Sequence, residues 1–236
     1  VPYSTKTRLY VIGDIHGRID LLDRMADLIA DDLELGDADS ALTVTVGDYL
    51  DRGPNAKAVL DRLIRNPFPT DFLALRGNHE ELLLTFLRDA STGPLWRQFG
   101  GAETLHSYGL ASQRVLSDRN YPLLASDLAA AIPQEHLVFL DTLQSSLNIG
   151  KFYICHAGVR PGIPLAAQSD DDLLWIRSPF LQTTANFGKI IVHGHTPVKT
   201  PEVKPNRLNI DTGAYLTGIL SCAVLEGESI RFLATG

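Results

Sequence analysis

Cysteine is almost absent from this chain: of 236 residues only Cys155 and Cys222 carry a thiol. Two thiols without Cys-x-x-Cys spacing exclude a disulfide framework and leave no Cys ligands for a structural zinc site. Both read as reduced core thiols. Long hydrophobic runs are missing too. No stretch reaches the ~18 apolar residues of a membrane-spanning helix, so no membrane partner is expected. A basic excess is also missing: 21 Lys and Arg stand against 28 Asp and Glu, a net charge of −7, and no nucleic-acid partner is expected. An acidic whole can still hold a basic pocket. Residues Val1 to Lys6 lead straight into a strand with no signal-peptide apolar segment, and the expected location is cytoplasmic.

What the chain does hold is 44% apolar residues, enough for a substantial core, and residues 1–236 are expected to form a single domain. Leu9 to Ile12 form a strand-length run, and Leu21, Leu22, Met25, Leu28 and Ile29 then recur at helical spacing within Arg18 to Leu33. The unit repeats as Ala41 to Val46 before Ala56 to Ile64, and as Phe72 to Leu75 before Glu80 to Leu87. Such alternation predicts neighbouring parallel strands with covering helices, and functional groups at the carboxyl ends of the strands. Breaks at Gly93-Pro94, Gly100-Gly101 and Tyr121-Pro122 then separate short helical patterns, which read as a helical insert over about residues 91–143 flanking the site. A strand-rich half follows, with Phe152 to Cys155, Ile190 to Val192, Leu208 to Ile210, Ile219 to Leu225 and Ser229 to Leu233.

Side chains able to bind metal collect in the turns that end these runs. Gly13-Asp14-Ile15-His16-Gly17, Gly47-Asp48-Tyr49-Leu50-Asp51-Arg52-Gly53 and Gly77-Asn78-His79-Glu80 follow the first three strands, and Cys155-His156-Ala157-Gly158 and His193-Gly194-His195-Thr196 follow two later ones. One such turn alone would be read as backbone capping. Together they offer carboxylate oxygens, an amide oxygen and imidazole nitrogens, a mixture that suits manganese, iron or zinc better than calcium.

Gly-Asp-x-His-Gly, Gly-Asp-x-x-Asp-Arg-Gly and Gly-Asn-His-Glu, followed by two separated His turns, resemble the calcineurin-like metallophosphoesterases and, within them, the phosphoprotein phosphatases. The resemblance extends from Leu9 to Thr196. It implies an α/β fold, a four-layer sandwich of two mixed β-sheets flanked by helices, in place of a simple doubly wound sheet. It also implies two divalent metal ions, manganese first, with iron and zinc as alternatives. By that resemblance Asp14, His16 and Asp48 hold one metal, and Asp48, Asn78, His156 and His195 hold the other, so that Asp48 bridges. In such enzymes a metal-bridging hydroxide attacks phosphorus directly, and no Ser or Cys nucleophile is needed. The resemblance further assigns His79 as the acid that protonates the leaving oxygen, with Asp51 orienting its imidazole. Arg52, and by a looser match Arg177 in Leu173-Leu174-Trp175-Ile176-Arg177, clamp phosphate oxygens through their planar forks.

His193, two residues before His195, competes with it as a ligand. Many metallophosphoesterases carry Gly-His-x-His here, whereas Gly194-His195-Thr196-Pro197 lacks the second His and leaves the first metal with fewer protein ligands. Asp211 either hydrogen-bonds a ligand His or serves its own turn. Strand alternation turns Cys155 into the core, Trp175 packs beneath Arg177, and His106 and His136 read as surface groups of the insert. The expected activity is metal-dependent hydrolysis of phosphomonoesters, the substrate being a phosphorylated protein, on serine or threonine with tyrosine in addition, or a small phosphoester. The alternative is a dinucleoside polyphosphate hydrolase, since the chain also resembles diadenosine tetraphosphatases. Asp51 tilts the choice toward the phosphatase, because the matching position in symmetrically cleaving tetraphosphatases is often not acidic.

Overall fold

The computed structural model describes residues 7–36, 38–110 and 120–236. Strands β1 (Thr7–Ile12), β2 (Ser40–Thr45) and β3 (Asp71–Ala74) lie parallel and adjacent, each followed by a helix, α1 (Ile19–Glu34), α2 (Ala56–Ile64) and α3 (Asn78–Arg88). The other side of β1 is taken antiparallel by β9 (Ser221–Glu226), with β10 (Ser229–Ala234) outside it, which gives the order β10-β9-β1-β2-β3. A second sheet contains β4 (Ser146–Ile149), β5 (Phe152–Cys155), β6 (Ile190–His193), β7 (Glu202–Lys204) and β8 (Arg207–Asn209), in the order β4-β5-β6-β8-β7. Its three central strands are parallel and both edges antiparallel. The strand-rich half read from the sequence is therefore divided between two sheets. The run Ala223-Val224-Leu225 is apolar on both faces, and the place beside β1 buries both.

Strand alternation sorts the side chains into layers. Leu9 and Val11 of β1, Val44 of β2, and Ala223 and Leu225 of β9 meet Phe152, Ile154, Val192 and Leu208 of the second sheet in one buried cluster between the sheets. Tyr10, Ile12, Cys222 and Val224 point the other way and are covered by Leu22, Met25 and Ile29 of α1 and Val59, Leu60 and Leu63 of α2. On the outside of the second sheet, Tyr153, Cys155 and Ile191 are covered by Leu173 of α8 (Asp170–Trp175) and Phe180 of α9 (Ser178–Leu181). Two mixed sheets flanked by helices result, as the resemblance implied.

The insert supplies α4 (Gly93–Gln98), α5 (Gly101–Ser107), α6 (Tyr121–Ala131) and α7 (Gln134–Thr142), and residues 111–119 of it lie outside the described residues. Its Trp96, Leu105, Leu128 and Leu140 belong to the same buried cluster as Tyr10 and Ile12. His136 corrects the sequence reading: it is fully buried, its Nδ1 2.7 Å from the Tyr108 hydroxyl and its Nε2 2.9 Å from Asp61 Oδ1, so it ties the insert to α2. No helix among the described residues is by itself long and apolar enough to cross a membrane.

Where α1 meets β1 and β10, a charged cluster closes on itself. Asp32 accepts from Tyr10 Oη at 2.7 Å and from both terminal nitrogens of Arg231, while Arg8 reaches Asp32 at 3.3 Å and Glu226 at 2.6 Å. Burial would raise the Asp32 carboxyl, but the bonds from Arg231 and Tyr10 prevail and hold it below its ordinary value.

Candidate active site

Every strand-end turn singled out in the sequence sends a side chain into one cluster. Asp14 and His16 follow β1, Asp48 follows β2, Asn78 and His79 begin α3 after β3, His156 follows β5 and His195 follows β6. All seven are at most 6% exposed. Parallel strands place their carboxyl ends on one side of each sheet, and the stacking of the sheets brings the two sets together.

The backbone bends sharply to do this. Six non-glycine residues among those described have a positive φ, and five of them stand here: His16 (45°), Asp48 (54°), Asp51 (64°), Arg52 (64°) and His195 (66°). Left-handed backbone costs such residues about 1–3 kcal/mol each and persists only where the surroundings impose it. Glu80 supplies much of that imposition. Its buried carboxylate accepts from the amides of Asp48 (2.8 Å), Gly77 (2.9 Å), Tyr49 (2.8 Å) and Leu50 (3.3 Å), stitching the β2 turn to the start of α3. The His79 amide at that helix start also donates to Asp48 Oδ1 at 3.1 Å.

The donor atoms then converge. His156 Nε2 and His195 Nδ1 lie 2.9 and 2.8 Å from Asn78 Oδ1, and His156 Nε2 lies 3.3 Å from Asp48 Oδ1. On the other carboxylate oxygen of Asp48, His16 Nε2 stands at 3.5 Å and His79 Nε2 at 3.8 Å. Asp48 thus faces two groups at once, His16 with His79 and His156 with His195, each set with ligand atoms within 4.8 Å of one another. Asp14 is held close by a bond from the His195 amide to Oδ2 at 3.0 Å, while its Oδ1 is buried without a hydrogen-bond partner.

Tautomers decide what this convergence means. His16 Nδ1 is 2.7 Å from the Leu50 carbonyl and His156 Nδ1 3.0 Å from the Val46 carbonyl. A carbonyl only accepts, so each Nδ1 carries the hydrogen and, in the neutral ring, each Nε2 presents a lone pair toward Asp48. Burial pushes His16 down to about 3, and burial next to His156 and Arg177 pushes His195 down to about 2. Burial, with Asp211 and Asp48 facing it, lifts Asp14 well above the ordinary carboxylate range. Lone pairs and carboxylates facing one another with buried orphan atoms are destabilising unless a cation joins them. The donor set therefore fits divalent metal.

Beside these groups His79 is set up differently. Its Nδ1 is 2.7 Å from Asp51 Oδ2, and its buried Nε2 has no hydrogen-bond partner. Burial opposes a charge there, yet the Asp48 charge and the Asp51 bond outweigh it and raise His79 above its ordinary value. Asp51 is itself fixed from the insert, by Trp96 Nε1 at 3.0 Å and Thr104 Oγ1 at 2.6 Å. Arg52 lies over the Tyr215 ring at 4.9 Å, and that ring meets His16 edge-on at 5.2 Å. Arg177 is exposed at the start of α9, and its charge weighs on His195.

His193 is not in the pocket cluster: its Nδ1 turns to the Gly194 carbonyl at 3.0 Å and its ring packs on Phe180. The Asp211 carboxylate accepts the Gly213 amide at 2.8 Å, the bond of its own turn. Trp175 packs its ring against Phe99 and His195. Trp96, Thr104, Phe99 and Tyr215 were not singled out for the site from the sequence, and no local pattern marks them. Glu80 did have a signal, as an acidic residue three positions after the residue that starts the α3 cap.

Residues 7–217 match the sequence profile of the calcineurin-like phosphoesterases. The chain belongs to that family. Its members are metal-using phosphoester hydrolases, and this chain is a hydrolase of that kind. Over 223 residues it is 29% identical to serine/threonine-protein phosphatase 2 of Salmonella typhimurium, covering 90% of each chain. Over 243 residues it is 25% identical to the asymmetrical bis(5'-nucleosyl)-tetraphosphatase PrpE of Halalkalibacterium halodurans, covering 95% of this chain and 92% of the relative. In fold it is similar to the crystal structure of a candidate diadenosine tetraphosphatase, with a TM-score of 0.67, 22% identity and coverage of 99% and 96%.

Proposed function

We propose that this phosphoesterase is a protein phosphatase hydrolysing phosphoserine and phosphothreonine, with phosphotyrosine also accepted. The observation that carries the reading is the buried His79–Asp51 pair, whose Nε2 is free beside Asp48. An alkoxide is a poor leaving group and needs a proton as the P–O bond breaks, whereas a departing phosphate chain needs far less help. A raised, buried imidazolium suits the first task.

Asp14, His16 and Asp48 would hold one divalent ion, and Asp48, Asn78, His156 and His195 a second, with manganese as the proposed metal. Bound there, such ions supply positive charge to the phosphoryl oxygens and acidify water. The protein's own groups do the rest. Arg52, steadied over Tyr215, and Arg177 hold non-bridging phosphate oxygens. His79 gives its Nε2 proton to the leaving oxygen as an imidazolium, the form that Asp51 favours by accepting from Nδ1–H.

A second reading, dinucleoside polyphosphate hydrolysis, is supported by likeness to the PrpE tetraphosphatases. Catalytic efficiency in manganese on a phosphoserine peptide and on diadenosine tetraphosphate separates the two, with metal-stripped protein as the blank. Preference for the peptide is the expected result. Preference for the dinucleotide would move the assignment to the second reading, and metal-independent turnover would sink both.

A further inference from the structure

An arc of rings surrounds Asp48. His16 meets His79 (centroids 4.7 Å apart), His79 meets Phe99 (5.9 Å), Phe99 meets Trp175 (5.6 Å), Trp175 meets His195 (6.2 Å) and His195 meets His156 (5.0 Å). The imidazoles of the arc are buried, whereas Phe99 and Trp175 are only half-buried and so form its rim. Phe99 is the ring on the His79 side of this rim, and His79 is where the leaving oxygen collects its proton. Phe99 and Trp175 cross at 78°, which makes a corner of one face and one edge. A purine held between two rings needs parallel faces. A single phenyl ring fits a corner, stacked offset on one wall and edge-on to the other.

We propose that Phe99 and Trp175 form the leaving-group wall of this site and are what lets it accept aromatic phosphomonoesters beside aliphatic ones. The proposal rests on the phosphomonoester reading above and adds the class of leaving group. As a water oxygen bonds to phosphorus, the aryl P–O bond breaks, its electron pair departs on the phenolic oxygen, and that oxygen takes the His79 Nε2 proton, giving phosphate and a phenol. The ring of that phenol is what the corner holds. Phe99 is a specificity residue without a role in the proton transfer itself, so its loss is expected in KM for aryl substrates before kcat.

The test compares a phosphotyrosine peptide with the matched phosphoserine peptide, in wild type, Phe99→Leu and Phe99→Tyr, with manganese. The wild type is expected to turn over both peptides. Phe99→Leu, which keeps an apolar side chain against the core, is expected to lower the tyrosine-to-serine ratio of kcat/KM about fivefold, the scale of one aromatic contact, and Phe99→Tyr to restore it. A binding readout needs no turnover. The chain has two tryptophans, Trp96 fully buried and Trp175 half-buried, so phenylphosphonate is expected to quench emission where methylphosphonate does not, and the quench is lost in Trp175→Leu. An unmoved tyrosine-to-serine ratio in Phe99→Leu, with both peptides still turned over, overturns this inference and leaves the phosphatase reading standing. Turnover of diadenosine tetraphosphate with neither peptide cleaved overturns both.

Discussion

Asp32 and Asp14 are two carboxylates in two polar clusters, and the chain treats them in opposite ways. Around Asp32 it supplies Arg231, Arg8 and a tyrosine hydroxyl, and the carboxyl is pulled below its ordinary value. Around Asp14 it supplies Asp48 and Asp211, leaves Oδ1 without a partner, and the carboxyl is driven well above. A cluster completed by its own chain is scaffold, because removing one member strands the others. A cluster left incomplete at a cost to stability is prepared for something that arrives from outside.

The widest separation is expected from Asp48, which faces both ligand groups. Asp48→Asn should reduce manganese-dependent phosphatase turnover by more than the ~10²–10⁴-fold that a general acid contributes, and should abolish the rise in melting temperature on adding manganese. His79→Asn should cost about 10²–10⁴ in kcat while leaving the manganese-induced rise largely in place. Loss of that rise in His79→Asn would make this ring a ligand, as its place beside His16 and Asp48 also allows.

Stability measurements then sharpen the contrast. Asp32→Asn should lower the unfolding free energy by about 2–3 kcal/mol in urea, with or without manganese, because Arg231 and Arg8 lose their shared partner. Asp14→Asn should raise the stability of metal-free protein by about 1 kcal/mol, since it removes one of several facing carboxylates, while shrinking the stabilisation by manganese. Equal destabilisation by the two substitutions would erase the distinction.

The smallest expected effect is on pH. Burial, the largest influence on both, lifts Asp211 to about 6 despite its Gly213 bond and lifts Glu80 to about 7, with Asp48 adding to each. A carboxyl whose folded value is raised stabilises the fold fully below its unfolded value, and that contribution is lost as pH rises through the folded value. His16 and His195, lowered to about 3 and 2, act the other way and raise stability with pH, so the carboxyl is read by difference: metal-free Asp211→Asn should gain melting temperature relative to wild type as pH rises from about 4 to 7. A difference between variant and wild type that does not grow across this range would contradict the raised carboxyl.

The convergence of the site's side chains was legible because each proposed ligand sits in a glycine-flanked turn at the end of an apolar run, so chemistry and topology marked the same positions. Sheet order was less legible. Leu9 pairs with Leu225 and Ile12 with Cys222, and nothing local in either strand names its partner. Short edge strands such as Glu202–Lys204 and Ser146–Ile149 carry too few residues to show a period. The supports of Asp51 were invisible for a related reason. Trp96 and Thr104 lie 45 and 53 residues from it, on helices whose own patterns announce only burial. His136 was misjudged because a histidine beside acidic and amide residues looks solvated, and only Tyr108 and Asp61, brought from elsewhere, give its nitrogens a buried home.

The division of the pocket between two sheets bears on how the molecule assembles. Asp14, His16, Asp48 and Asn78 come from the sheet that β9 must join, and His156 and His195 from the other. If, as proposed, one ion draws on both sets, it would find no home in a half-formed chain, and its capture would mark the docking of the sheets. Following manganese uptake during refolding would thus time the last long-range event of assembly, with the metal as the clock.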